Sequence, residues 1–182
     1  MLWDLLTPYR EVESVLDIDL PELGSLGIRG VLLDLDNTLL AWNNLVLSNE
    51  VQEWVRRALD QGFRLCIVSN AHWMRLETQS IILGVPYFSA ARKPSRKALR
   101  KALDLLDLEP HETAMVGDQV FTDVLGGNRM GLFTILVVPL HLKEQWWMRA
   151  VRWLESWVVR FLSGRTHRTW QGRPLPSRFP AR

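Results

Sequence analysis

Gly30-Val31-Leu32-Leu33-Asp34-Leu35-Asp36-Asn37-Thr38-Leu39 is an apolar run that ends in two carboxylates spaced one residue apart, with a turn following at once. Side chains alternate along a strand, so Asp34 and Asp36 lie on the same side of the backbone. Two anions held that close repel each other unless a cation or a proton sits between them. A strand end keeps such a pair chiefly for metal binding or acid–base work.

Strand-like and helix-like segments alternate around this run, from residue 28 to residue 138. Residues 30–35 read as a buried strand. Ser48 to Ala58 reads as a helix, with Val51, Trp54, Val55, Ala58 and Leu59 at three- and four-residue spacing and Gly62 as the stop. Phe63–Val68 is a second strand, His72–Leu83 a helix ended by Gly84, and Val85–Phe88 a short third strand. Pro94–Leu106 reads as a helix with proline in its first turn, a favoured position. Thr113–Val116, a short helix over Val120–Met130 and the strand Leu132–Val138 complete the pattern. Near-continuous apolar strands separated by helices predict an α/β, Rossmann-like fold: a parallel five-stranded sheet with helices on both faces.

Ligands of an open parallel sheet bind beyond the carboxyl ends of its strands. The polar residues at those ends are Asp34 and Asp36 after the first strand, Ser69-Asn70 after the second, and Gly117-Asp118 after the fourth, with Asp123 five residues on. Lys93 leads into the helix after the third strand. The topology therefore brings four carboxylates, a hydroxyl and an ammonium group to one edge. With no His/Cys cluster nearby, the set suits a hard, oxygen-liking ion. Mg²⁺ fits best, whereas zinc would require sulfur or imidazole. A metal beside a carboxylate and a lysine describes a phosphoryl site, where an aspartate can attack to form an aspartyl-phosphate.

Asp34-Leu-Asp36-Asn37-Thr38, Ser69, Lys93 and Gly117-Asp118-Gln-Val-Phe-Thr-Asp123 resemble the four motifs of haloacid-dehalogenase-type (HAD) phosphatases, in order and in spacing, over roughly residues 28–138. Lys93-Pro94, the run from Gly117 through Thr122-Asp-Val-Leu-Gly-Gly-Asn-Arg-Met-Gly131, and Thr134-Ile-Leu-Val-Val-Pro139 are similar to the capless subfamily IIIA, YqeG type, itself similar to mitochondrial phosphatidylglycerophosphate phosphatases. That resemblance implies Asp34 as nucleophile and Asp36 as the acid that protonates the leaving alcohol and then the base that activates water. It implies Thr38, Ser69, Asn70 and Lys93 around the phosphoryl group, with Ser69 and Lys93 holding it during transfer. It implies Mg²⁺ on Asp34, Asp36 (through its backbone carbonyl), Asp118 and Asp123. The substrate implied is a lipid phosphate, phosphatidylglycerophosphate, dephosphorylated to phosphatidylglycerol at a membrane surface.

Spacing bears separately on substrate size. About 30 residues separate Thr38 from Ser69 and 23 separate Ser69 from Lys93. Neither gap has room for an inserted cap domain, so the expected cleft is open to something large.

A length of 182 residues, 47% hydrophobic and 23% charged, is that of a globular chain with a sizeable core. The net charge of +2 hides an asymmetry: residues 1–140 carry 13 Lys/Arg against 18 Asp/Glu, and residues 141–182 carry nine against two. The expected organisation is an N-terminal amphipathic segment (1–27), a phosphatase core (28–140), a Trp-rich amphipathic helix (141–163) and a basic Pro/Arg-rich tail (164–182). Between Leu142 and Ser163, Trp146, Trp147, Trp153 and Trp157 share a broad apolar face, and Arg149, Arg152 and Arg160 fall in a narrow stripe. Such a helix suits an anionic phospholipid surface, lying in it rather than crossing it. Packing on the core or a dimer contact remains open for it.

No apolar stretch reaches the ~20 residues that would span a bilayer, and no secretory signal opens the sequence, so the expected place is the cytoplasmic face of a membrane, peripherally bound. Cys66, the single cysteine, lies in an apolar run and reads as a small hydrophobe. His72, His111, His141 and His167 are scattered and read as surface residues; Trp42 is left between packing and substrate contact. Two other functions fit the motifs less well. A phosphatase of nucleic acid ends or phosphoproteins would use the basic tail on a polyanion, but tryptophans massed on one helical face make a poor stacking platform, so nucleic acid is an unlikely partner. A non-catalytic binding module would not need the full acidic set.

Overall fold

The computed structural model describes residues 2–140. Its elements run α1 (Leu2–Leu6), β1 (Arg10–Val12), α2 (Leu20–Ser25), β2 (Gly30–Leu33), α3 (Asn49–Asp60), β3 (Arg64–Val68), α4 (Trp73–Leu83), β4 (Tyr87–Phe88), α5 (Arg96–Leu106), β5 (Thr113–Gly117), α6 (Leu125–Met130) and β6 (Phe133–Val137). The six strands form one parallel sheet in the order β1-β6-β5-β2-β3-β4. The expectation of a parallel sheet with helices on both faces holds, but with six strands rather than five. The added strand, Arg10-Glu11-Val12, has one apolar residue and hence no hydrophobic run to betray it. It is held by pairing with β6 and by Tyr9, which stacks on Phe133 with ring centroids 5.2 Å apart.

The central strands are buried throughout, as strands covered on both faces must be. Alternate residues feed two cores. Val31, Leu33, Leu65, Ile67, Ala114 and Val116 pack under α2, α3 and α4. Leu32, Cys66, Val68 and Met115 face the other way, against Leu99, Ala102 and Leu103 of α5. Each buried valine, leucine, isoleucine or methionine among them contributes about 1.5–3 kcal/mol through removal from water. The segment 2–27 joins the first core through Tyr9, Val15, Leu20 and Leu23. Asn128 of α6 ties it further, donating to the carbonyls of Leu5 (2.9 Å) and Thr7 (3.0 Å).

Local signals account for most helix ends. Ser48 caps α3 by accepting from the Val51 amide at 3.3 Å. Gly84 and Gly131 close α4 and α6 in the left-handed conformation (φ 67° and 83°). One expectation is corrected: Ser95 is the cap of α5, so Pro94 lies outside the helix rather than in its first turn. The expected helix over Val120–Met130 is present; it opens as one wide π turn (Val120–Val124) that α6 continues.

No helix among the described residues is long and apolar enough to cross a membrane. The Trp-rich segment 141–163 and the tail 164–182 lie outside the described residues.

Candidate active site

β2 is the point where the chain's path through the sheet reverses: its neighbours are β3 on one side and β5 on the other. A crevice opens beyond the carboxyl ends of strands at such a switch. Leu33 pairs with both Ile67 and Val116, so Asp34 stands one step past the last paired residues. Its amide still donates to the Val116 carbonyl at 2.9 Å, which fixes the strand end beside Gly117 and Asp118.

Asp34, Asp118 and Asp123 meet here. All three are buried, and each offers a carboxylate oxygen within 4.8 Å of the others. Lys93 lies between two of them, its Nζ 2.6 Å from Asp34 Oδ1 and 2.6 Å from Asp123 Oδ1, with almost no exposure on any partner. Burial works against the ammonium charge, yet Asp123 and Asp34 together hold its pKa above the ordinary lysine value. Burial raises Asp123 to about 6, with Lys93 opposing the rise. Asp123 also accepts from the Gln119 amide through Oδ2 at 3.1 Å. Gly117 makes the approach possible: a Cβ there would overlap the Asp123 carboxylate. Three carboxylates with no nitrogen or sulfur donor among them fit a hard divalent cation.

Asp36 stands apart from this trio. Its Oδ1 receives Arg75 Nε at 2.8 Å. The same guanidinium donates through Nη1 to the Asn44 carbonyl (2.7 Å) and through Nη2 to the Ala41 carbonyl (3.0 Å). Burial raises the Asp36 pKa, Arg75 pulls it back, and the Asp34 charge adds to the rise. Arg75 was not among the residues singled out from sequence. An arginine in the first turns of an amphipathic helix reads as a solvated charge, and nothing local marks it otherwise.

The remaining expected residues line the same edge. Ser69 is buried at the end of β3, and its Oγ accepts from the Ala71 amide at 3.3 Å. Asn70 Oδ1 accepts from the Lys93 amide at 2.9 Å, which joins the β3 and β4 ends. Thr38 is buried, and its hydroxyl has no hydrogen-bond partner among the described residues. It follows Asn37, whose φ of 60° turns the chain back over the strand end. His72 and His111 are exposed, and neither is among the cluster's donors.

A buried carboxylate held against a buried ammonium, with further carboxylates able to take a cation, at the switch point of a parallel sheet, is a site suited to a phosphate-handling hydrolase. Known proteins agree. A family model described as HAD-hydrolase-like matches residues 90–138. The probable phosphatase YqeG of Bacillus subtilis is 34% identical over 171 residues, which cover 94% of this chain and 99% of that protein. The chain belongs to the HAD-like phosphatase family. The chloroplastic/mitochondrial phosphatidylglycerophosphate phosphatase 1 of Arabidopsis thaliana is 27% identical over 84% of this chain but only 47% of its own length. Among solved structures, an uncharacterized protein of Listeria monocytogenes superposes with a TM-score of 0.52 at 19% identity, covering 65% of this chain and 85% of that one.

Proposed function

We propose that this phosphatase is Mg²⁺-dependent and removes the terminal phosphate of phosphatidylglycerophosphate at a membrane surface, leaving phosphatidylglycerol. The observation that carries the chemistry is the buried Asp34–Lys93–Asp123 bridge, with Asp118 in reach of the same point. Asp34 Oδ attacks phosphorus and the bond to the lipid alcohol oxygen breaks. Asp36 gives its proton to that oxygen. Water then attacks the aspartyl-phosphate, giving its proton to Asp36, and inorganic phosphate leaves. Lys93 and the Ser69 hydroxyl neutralise and orient the phosphoryl oxygens, and the unpartnered Thr38 hydroxyl and Asn70 line the same pocket. Asp34, Asp118, Asp123 and the Asp36 carbonyl would hold Mg²⁺, which when bound supplies positive charge to those oxygens.

Two things support the lipid substrate. The Arabidopsis relative and a Chlamydomonas reinhardtii relative, 27% identical over 90% of this chain, are both phosphatidylglycerophosphate phosphatases. Among the described residues, the connection between β2 and β3 carries one loop and α3, and that between β3 and β5 carries α4, β4, α5 and a short 3-10 turn, with no further domain in either; this supports reading the strand ends as accessible to a bulky partner. A peripheral place on the cytoplasmic face belongs to the same proposal.

The test is phosphate release by the full chain from phosphatidylglycerophosphate in detergent micelles and from a panel of soluble phosphate monoesters, with Mg²⁺ and with chelator. Release from the lipid that is lost with chelator and with Asp34→Asn is expected. Turnover of soluble sugar phosphates with none of the lipid would overturn the substrate assignment.

A further inference from the structure

Five large apolar side chains stand exposed in two segments that flank the catalytic edge. Trp42, Leu45 and Val46 lie in the loop after β2, and Trp73 and Met74 open α4. Leu45 is 76% exposed and Val46 68%, values that a loop folding onto its own core would not leave. The loop is nonetheless built rather than slack. Arg75 holds the carbonyls of Ala41 and Asn44, and the buried Gln79 donates to the Leu45 carbonyl at 2.9 Å. The backbone is thus tied down onto α4 while the side chains face outward. Since Arg75 is also the partner of Asp36, this lip adjoins the reacting groups.

Cations border it. Ala91 donates to the Ser69 carbonyl at 3.1 Å and Lys93 to Asn70, so the turn that begins α5 lies against the segment that begins α4. From that turn Arg92, Arg96, Lys97, Arg100 and Lys101 run along α5, all exposed and with no acidic residue between them. They line two adjoining shallow grooves, and none of the five has an ion-pair partner among the described residues. On the other side of the site, Leu140 donates to the Asn37 carbonyl at 3.0 Å. The described chain therefore ends at the same rim, and the 42 residues that follow carry nine Lys/Arg against two Asp/Glu.

We propose that the loop 41–46 and the first turn of α4 form a lip that inserts into an anionic phospholipid bilayer, with the basic face of α5 on its headgroups. This rests on the lipid reading of the active site and names the surface that would deliver it. Tryptophan and aliphatic side chains enter the acyl boundary, and arginine and lysine reach anionic headgroups with their stems along apolar surface. The carboxyl edge would then face the bilayer, where a phosphorylated headgroup reaches Asp34 without leaving the interface. The unpaired cations decide for an anionic lipid surface: five exposed basic side chains border exposed tryptophan and aliphatic side chains, the pairing of charge and apolar surface that a headgroup layer over an acyl boundary complements.

The full chain is centrifuged with vesicles of phosphatidylcholine alone and of phosphatidylcholine with equimolar phosphatidylglycerol. Turnover of p-nitrophenyl phosphate is followed in parallel as a soluble readout. Leu45→Asp/Val46→Asp is expected to weaken partition onto the anionic vesicles by at least about tenfold, since two aliphatic side chains no longer enter the bilayer. Soluble turnover should stay within about twofold, because neither side chain packs in the core. Arg96→Glu/Lys97→Glu should weaken binding to anionic vesicles and flatten its salt dependence. Leu105→Asp, an exposed apolar site at the far end of α5, should leave binding unchanged.

Wild-type binding by the Leu45→Asp/Val46→Asp variant would overturn the proposal. So would a wild-type dimer in lipid-free sedimentation that this variant dissolves, since the lip would then be a contact between copies. The lipid-substrate reading fails separately: that failure is absence of phosphate release from the lipid in micelles, where no bilayer docking is needed.

Discussion

Arg75 Nε lies 2.8 Å from Asp36 Oδ1, and the other two nitrogens of the same guanidinium hold the backbone at Ala41 and Asn44. One side chain thus fixes both the proposed acid–base carboxylate and the loop that carries the lip. Burial raises the Asp36 pKa and Arg75 lowers it. Loss of the guanidinium removes the lowering influence, so the carboxyl stays protonated to higher pH. Protonation of the leaving alcohol needs that proton, so the alkaline limb of the kcat profile for Arg75→Met should move upward. The value of kcat should fall about ten- to hundredfold as Asp36 loses its orientation. A kcat–pH series on a soluble monoester reads both. An unmoved limb would show that Arg75 acts on the loop alone.

The acidic trio should bind a divalent cation even without substrate. In a thermal melt, Mg²⁺ at about a hundred times its Kd contributes about 2.7 kcal/mol, which for a chain of this size is a rise of about 5–10 °C. Asp123→Asn should lose most of that rise. Potassium at matched ionic strength should not reproduce it, because screening alone cannot bridge three buried carboxylates.

Lys93 has a structural part as well as its proposed part in phosphate binding. Lys93→Met leaves Asp34 and Asp123 buried without their shared counter-charge. The expected loss is about 3–5 kcal/mol by urea unfolding in chelator at neutral pH. Asp123 is raised to about 6, so its ionised form in the folded state is the unfavourable one. Lys93 opposes that rise, so without it Asp123 takes up its proton at higher pH than in the wild type; as pH falls from neutral toward about 6 the uncompensated charge disappears from the variant and the gap between wild type and variant narrows. A gap that widened toward acid would contradict the bridge.

How far this was legible from sequence depends on what each residue answers to. The strands β2, β3, β5 and β6 announce themselves because both faces of each are covered, which leaves an unbroken apolar run. The strand ends follow, and with them the convergence of Asp34, Lys93, Asp118 and Asp123, since topology alone brings those ends together. Arg10–Val12 was hidden because its place in the sheet comes from Tyr9 on Phe133 and from pairing with β6, both distant in sequence. Arg75 was hidden for the same reason: its three partners lie 31 to 39 residues away. Pro94 misled because proline signals a first helical turn, whereas here Ser95 takes the cap.

Cys66 is fully buried among Leu32, Val68 and Leu99, and burial pushes its thiol up to about 12. The thiolate is the reactive form. At pH 8 the folded chain should therefore resist a thiol reagent such as dithionitrobenzoate and should react within minutes in denaturant. Catalysis should survive prolonged exposure of the native protein to alkylating agents. Rapid loss of activity would mean that the β3–α5 core opens far more often than its packing implies.

Gly117 is the last residue of β5 and the platform on which Asp123 rests. A Cβ at this position would occupy the space of the Asp123 carboxylate, which has Lys93 on one side and the Gln119 amide on another. Gly117→Ala should therefore displace Asp123 by a fraction of an ångström or more while the strand, paired through Gly117 with Leu136, keeps its register. A shift of about 1 Å in a positioning group costs on the order of a hundredfold, so kcat should fall by that order and the Mg²⁺-dependent rise in melting temperature should shrink with it. The far-ultraviolet circular dichroism should be unchanged. Full activity in Gly117→Ala would mean that Asp123 has another resting place, and that the tight approach across the β5 end is not what sets the cation site.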